Sequence, residues 1–279
     1  MMDTHCHIQF RGYDEDREQV IKRCEEKGVI MNAVGTQKDT SRSSVELAQK
    51  HSSIYATVGL HPIHLFSTHV DEDESKFLSR EETFDYEYYK NLAQNKKVIA
   101  IGECGLDLYR IPEGKSRHEI LEKQKKTLVA QHDLARELDL PLVIHVRDAH
   151  DELLDLLKSL SSNIRGVIHC YTSNWENARQ YLNLGLHLGF TGVITFPPKK
   201  TDPQAQEDLL EVVEKCPLDK MLVETDSPYL APQAYRGKKC EPWMVEEVVK
   251  KIAKIKSLSI VDITEKCSEN ARNLFRKII

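Results

Sequence analysis

Asp3, His5, Cys6 and His7 fall within the first seven residues, MMDTHCH. A metal-scavenging tail, a pair of buried structural histidines and the first strand of a metal site all fit such a cluster. In a strand, successive side chains point to opposite faces, so His5 and His7 share one side and Cys6 turns away. Ligand-type residues recur further along at the ends of short apolar runs: Glu103 in VIAIGECG, His145 in LVIHV, His169 in GVIHCY and Asp226 in MLVETDS. A lone imidazole in an apolar strand is ordinarily a hydrogen-bonded core residue. Four imidazoles and two carboxylates brought to one point are costly to bury without a compensating cation, and two divalent metals would supply it. The same alternation turns Cys104 and Cys170 away from Glu103 and His169, as packing residues.

Those six groups meet only if the elements carrying them converge. Eight β-branched or apolar runs occupy 1–8, 29–36, 54–61, 98–105, 142–146, 166–171, 186–192 and 221–227. They read as near-continuous buried strands of a parallel sheet covered on both faces. Between them, helical spacing lines up Leu153, Leu154, Leu157 and Leu160, and again Val245, Val248, Val249, Ile252 and Ala253. The alternation predicts a single (β/α)8 TIM barrel over 1–279, with a doubly wound open sheet as the other solution. In a barrel the carboxyl ends of all strands share one face, and there the six residues would gather. Residues 65–92 break the rhythm. Acidic and polar, they read as an insertion between strands 3 and 4, either a solvated loop with a short helix or a lid over the mouth.

Composition narrows the class. Of 279 residues, 40% are hydrophobic and 30% charged, as in ordinary soluble enzymes rather than disordered chains. No apolar run approaches the roughly 20 residues that span a bilayer. The N-terminus lacks a basic segment leading into an apolar one, so no secretory signal and no membrane partner are expected. The seven cysteines are scattered without a CxxC, which points to reduced thiols and a cytoplasmic location. A formal charge of −5 argues against a broad basic face that coats duplex nucleic acid, but not against a local cationic pocket. Nothing demands a partner chain, and a monomer is expected.

The ordered set DTHCH, GLHP, IGECGLDLY, LPLVIHVRDA, GVIHCYT and LVETDSPYLAP resembles the TatD-related deoxyribonucleases, a metal-dependent branch of the amidohydrolase superfamily. The resemblance runs from Asp3 to the C-terminal ENARNLF. It implies that His5, His7, Glu103 and Asp226 hold one metal and that Glu103, His145 and His169 hold a second, with Glu103 bridging. It also implies metal-dependent hydrolysis of DNA from the 3′ end by an activated water, in-line at the phosphodiester. Asp226 would orient that water and take its proton, and Glu103 would set the metal spacing. Zn, Mg and Mn are the candidate ions; four imidazoles suit Zn or Mn better than Mg.

Around this centre, Arg147 lies two residues beyond His145 and would either clamp a phosphate oxygen or pair with Asp148. His61 in GLHP would contact phosphate, support a ligand or make a structural hydrogen bond. Arg236, with Lys238 and Lys239, follows strand 8 and would meet a nucleic-acid backbone or remain solvated, as would Lys199 and Lys200. Tyr109 and Tyr171 would stack on a base or merely pack. Two other functions use the same ligand set: hydrolysis of an ester or amide, such as deacylation of a mischarged aminoacyl-tRNA, and a non-catalytic metal-stabilised binding protein.

Overall fold

The computed structural model describes residues 1–67, 81–109, 111–160 and 164–278. Eight strands, β1 (Met2–Cys6), β2 (Ile30–Val34), β3 (Ile54–Val58), β4 (Val98–Asp107), β5 (Leu142–Arg147), β6 (Gly166–Ile168), β7 (His187–Phe190) and β8 (Met221–Val223), pair in sequence order. Each neighbouring pair is parallel. The ring closes just past β8: Cys6 and Ser227 form a parallel bridge, and the His7 N–H donates to the Ser227 carbonyl at 2.7 Å. The expected (β/α)8 barrel is the observed fold; the open sheet is not.

Helices alternate with the strands as α1 (Arg17–Glu26), α2 (Lys38–Lys50), α3 (Tyr86–Ala93), α4 (Arg117–Glu137), α5 (His150–Ser159), α6 (Trp175–Asn183), α7 (Gln204–Lys215), α8 (Val245–Lys256) and α9 (Ile260–Leu274). All five residues of the apolar stripe expected on α8 are buried, as are Leu153, Leu154 and Leu157 on α5. Leu160 differs: it is the C-cap of α5, in extended backbone, because the helix has already ended at Ser159. Within 65–92, Tyr86–Ala93 supplies the helix of the third βα unit, with Asp85 capping it by accepting from the Tyr88 N–H. Residues 68–80, the heart of the expected insertion, lie outside the described residues.

Apart from a few end residues such as Arg147, the strands are largely buried. Helix stripes pack on the outside, while Met2, Ile99, Val143, Val167 and Leu222 form an apolar layer at the amino ends. Ala271, Leu274 and Phe275 of α9 pack into that layer and close the bottom of the barrel. Above it, Asn32 donates to the Thr4 carbonyl and the Thr57 hydroxyl inside the barrel, and the ligand-type residues lie further towards the carboxyl ends. Pairing register shifts between Asp3 and Cys6 and between Ile101 and Cys104, the two intervals that contain His5 and Glu103. Such irregularities re-aim side chains, and here they do so at the mouth.

Candidate metal centre

Glu103 is the hub. Its Oε2 lies 3.4 Å from His5 Nε2 and 3.8 Å from His7 Nε2, while its Oε1 lies 3.1 Å from His145 Nδ1 and 3.9 Å from His169 Nε2. Asp226 covers the same ground from the other side, with Oδ1 at 3.3 Å from His7 Nε2, 3.6 Å from His169 Nε2 and 3.8 Å from His5 Nε2. All six sequence-predicted ligands therefore converge. His5 and His169 even stack face to face, 3.4 Å between ring centroids. Groups of three among these side chains, such as His5–His7–Glu103 and His5–His169–Asp226, place their ligand atoms within reach of a shared ion.

Local structure explains the aim of each group. Glu103 sits inside β4 rather than at its end, since the strand runs on to Asp107. Gly105 makes this possible: a Cβ there would overlap the carbonyl oxygen of His145, its register partner on β5. His169 and Asp226 lie just beyond β6 and β8, which end earlier than their apolar runs suggest. Left-handed backbone follows at Cys170 (φ 45°) and occurs at Asp226 itself (φ 58°), so neither residue continues its strand. The Asp226 N–H is held by the His5 carbonyl at 2.9 Å. Asp3, the first acid of the opening cluster, serves as a latch: it accepts from the Thr225 N–H (2.9 Å), the Thr225 hydroxyl (2.6 Å) and the His5 N–H (3.2 Å). Cys6 and Cys104 are buried thiols beside the Asn32 and Val143 carbonyls, in keeping with packing roles.

Three of the four imidazoles have their outer nitrogen anchored. His7 Nδ1 donates to the Val34 carbonyl at 2.7 Å, His145 Nε2 faces Asp107 Oδ2 at 3.2 Å, and His169 Nδ1 faces Glu224 Oε1 at 3.1 Å. Such partners fix ring orientation and raise the basicity of the inward nitrogen. Sequence reasoning missed both acids. The signal was available by period 2: Asp107 follows Glu103 on the same face of β4, and Glu224 precedes Asp226 by two. Glu224 is wholly buried and occupies the space left by Gly189, where a Cβ would strike its carboxyl group. Glu224→Ala should weaken metal affinity by about 10–100-fold, with Glu224→Gln recovering part of it. A chelator-competition titration reads this directly, and equal affinity in Glu224→Ala would remove Glu224 from the account.

His61 has the opposite polarity. Its Nδ1 accepts the Ile63 N–H at 3.2 Å, which leaves Nε2 as an N–H donor aimed at Glu103 Oε1, 3.4 Å away. Burial and the neighbouring His145 help keep this ring neutral. It joins Glu103 and His145 in space, but as a donor towards the carboxylate.

The electrostatics are those of a site built for added positive charge. Burial opposes ionisation of Glu103, yet the imidazoles of His61, His5 and His145 hold its carboxyl well below the usual range. For Asp226, burial is likewise outweighed by His169 and His7. Burial resists protonation of His169 and His145, but their acidic partners raise them to about 10 and about 9. Burial and the adjacent His169 push His5 down to about 4. The inward nitrogens of His5 and His7 face each other at 3.3 Å, and the buried His5 Nδ1 has no hydrogen-bond partner. Clustered nitrogen donors with ionised carboxylates fit divalent cations, whose binding would require the inward imidazole nitrogens to be free of protons.

Of the remaining predicted residues, Arg147 and Arg236 are exposed. Arg147 ends β5, exposed, with its guanidinium carbon 3.6 Å from the centroid of the Tyr109 ring. Arg236 is exposed beyond β8, 4.4 Å from the Phe196 ring. It borders a pocket of about 610 Å³ with Pro228, Leu230, Lys238 and Lys239. Lys239 is tied down, donating to the Gly12 carbonyl at 2.8 Å and to Asp16 at 2.7 Å. Tyr171 is 2% exposed and donates its hydroxyl to the Asn174 carbonyl, so packing is its role. No helix among the described residues is long and apolar enough to cross a membrane.

Comparison with known proteins agrees with this geometry. The family profile described as TatD related DNase matches residues 2–276. YabD of Bacillus subtilis strain 168, named an uncharacterized metal-dependent hydrolase, is 35% identical over 278 residues, 99% of each chain. TatD of Yersinia pseudotuberculosis serotype O:3 strain YPIII, named a 3′-5′ ssDNA/RNA exonuclease, is 32% identical over the full length of both chains. The crystal structure of YJJV, a TatD homolog from Escherichia coli K12, superposes with a TM-score of 0.81 at 27% identity, covering 99% of this chain and 98% of that one. Ligand convergence at a barrel mouth and a match along nearly the entire sequence lead to one assignment: the chain belongs to the TatD-related DNase family and is a TatD-type metal-dependent hydrolase.

Proposed function

We propose that the protein is a nuclease that removes nucleotides from the 3′ ends of DNA strands, using two divalent ions that share Glu103. The observation that carries this reading is the division of one carboxylate between two sets of imidazoles, Oε2 towards His5 and His7 and Oε1 towards His145 and His169. His5, His7 and Asp226 would hold one ion and His145 and His169 the other. Bound there, a pair of divalent ions supplies Lewis acidity at phosphorus and lowers the pKa of water towards neutrality. Their nitrogen-rich surroundings favour Zn or Mn, with Mg as the remaining candidate. The exonuclease activity for which the Yersinia relative is named supports nucleic acid as the substrate.

The chain's own residues do the rest. Asp226, with its side chain 17% exposed, is the carboxylate of the centre that solvent reaches most readily. Its lowered pKa keeps it ionised, so an Oδ oxygen orients the attacking water and accepts its proton. Glu103 stays ionised and fixes the distance between the two halves of the site. The His61 Nε2–H, directed at Glu103, holds that carboxylate in place or turns to a phosphate oxygen. Arg147 clamps a non-bridging oxygen from the β5 rim, and Arg236 meets the strand from the β8 side. Seven free thiols support a cytoplasmic location.

Incubation of a 5′-labelled single-stranded oligonucleotide with protein and Mn or Mg tests the reading. A ladder of shortened products, abolished by chelator, is expected. No shortening, together with metal-dependent cleavage of an aminoacyl-tRNA ester, would replace the nuclease with the ester hydrolase.

A further inference from the structure

Tyr109 is exposed where an aromatic ring has little to gain. It is 53% exposed, among the few large apolar side chains so placed in the described residues. Yet its position is tightly fixed. The Asp107 Oδ1 accepts the Tyr109 N–H at 2.9 Å, while the Oδ2 of the same carboxylate lies 3.2 Å from His145 Nε2. Just past β4, the Leu108 N–H donates to the carbonyl of Arg147 on β5 at 2.9 Å, and Asp107 and Arg147 are register partners. The Arg147 guanidinium then lies over the ring at 3.6 Å. Among the described residues that guanidinium makes no side-chain hydrogen bond or ion pair, so the pairing with Asp148 open from the sequence is not what holds it. One carboxylate therefore locks an imidazole of the metal centre and an exposed aromatic platform into a single unit, with an uncommitted guanidinium beside them.

We propose that the Tyr109–Arg147 stack is a nucleoside subsite: the base next to the scissile phosphate stacks on Tyr109, and Arg147 hydrogen-bonds that nucleotide's phosphate. The assignment rests on the nucleic-acid reading above and adds to it a determinant of substrate choice. A π-platform accepts any base, so the subsite confers no sequence preference. It takes a base only when that base is free of its duplex neighbours, so the subsite favours single-stranded ends. Asp107 acts as a positioning residue, coupling the platform to His145.

The test compares wild type with Tyr109→Leu and Tyr109→Phe on two 5′-labelled single-stranded oligonucleotides, one ordinary and one whose 3′-terminal nucleotide lacks its base. On the ordinary strand, Tyr109→Leu should raise KM about ten-fold or more, and Tyr109→Phe should stay near wild type. Wild type should lose a similar factor on the abasic strand, and the two losses should not add. A wild-type KM for Tyr109→Leu on the ordinary strand, or losses that multiply, would overturn the subsite alone. Failure of wild type to shorten either strand would instead overturn the nuclease reading, and the subsite with it.

Discussion

Asp226→Asn lowers kcat for strand shortening by about 10²–10⁴-fold, the range typical of losing a positioned proton acceptor. The substitution is nearly isosteric and keeps one oxygen facing His7, so folding should change little, and saturating Mn should offset the weaker ligand. Asparagine cannot take the proton of the attacking water. The left-handed turn at φ 58° suits Asn as well as Asp, which removes backbone strain as an explanation for lost activity. Steady-state kinetics at saturating Mn, with metal content measured on the same samples, separates the two effects. Loss of activity in step with loss of metal would make Asp226 a ligand alone; undiminished turnover would remove it from the mechanism.

Glu103→Gln should act on metal rather than on the proton. Both carboxylate oxygens face imidazoles, and the neutral amide replaces one oxygen by a donor that repels a cation. Because the two oxygens address different halves of the site, metal should be lost from both together. At a metal concentration a hundred-fold above the wild-type Kd, linkage stabilises the native protein by about 2.7 kcal/mol. That increment should vanish in Glu103→Gln. Chemical denaturation with and without metal measures it. A variant retaining one ion at wild-type affinity would mean that Glu103 serves a single position.

Much of this was legible before the structure. Runs of Val, Ile and Leu separated by helical stripes are what parallel strands covered on both faces require, and a barrel follows from eight of them. Convergence of His5, His7, Glu103, His145, His169 and Asp226 follows from barrel geometry plus period-2 alternation. Strand ends were less legible. The run to Tyr171 has the composition to continue a strand, but β6 stops at Ile168, two residues before the left-handed Cys170, and β8 stops at Val223, where the polar stretch 224–227 begins. The partners Asp107 and Glu224 were missed because a lone acid near a strand end looks like ordinary surface. Only its placement behind an imidazole reveals its purpose. The polarity of His61 was beyond reach altogether, since it depends on the Ile63 N–H in the turn that follows. The Tyr109–Arg147 stack likewise needs the β4–β5 register, which no local pattern specifies.

In the proposed centre, one carboxylate divides two cations between two sets of ligands. Anomalous diffraction from crystals grown with Mn, collected on either side of the metal edge, measures it most directly. Two peaks are predicted, one beside His5, His7 and Asp226 and one beside His145 and His169, each touching a different oxygen of Glu103. A single peak at full occupancy, or two peaks of which one has no contact with Glu103, would contradict it.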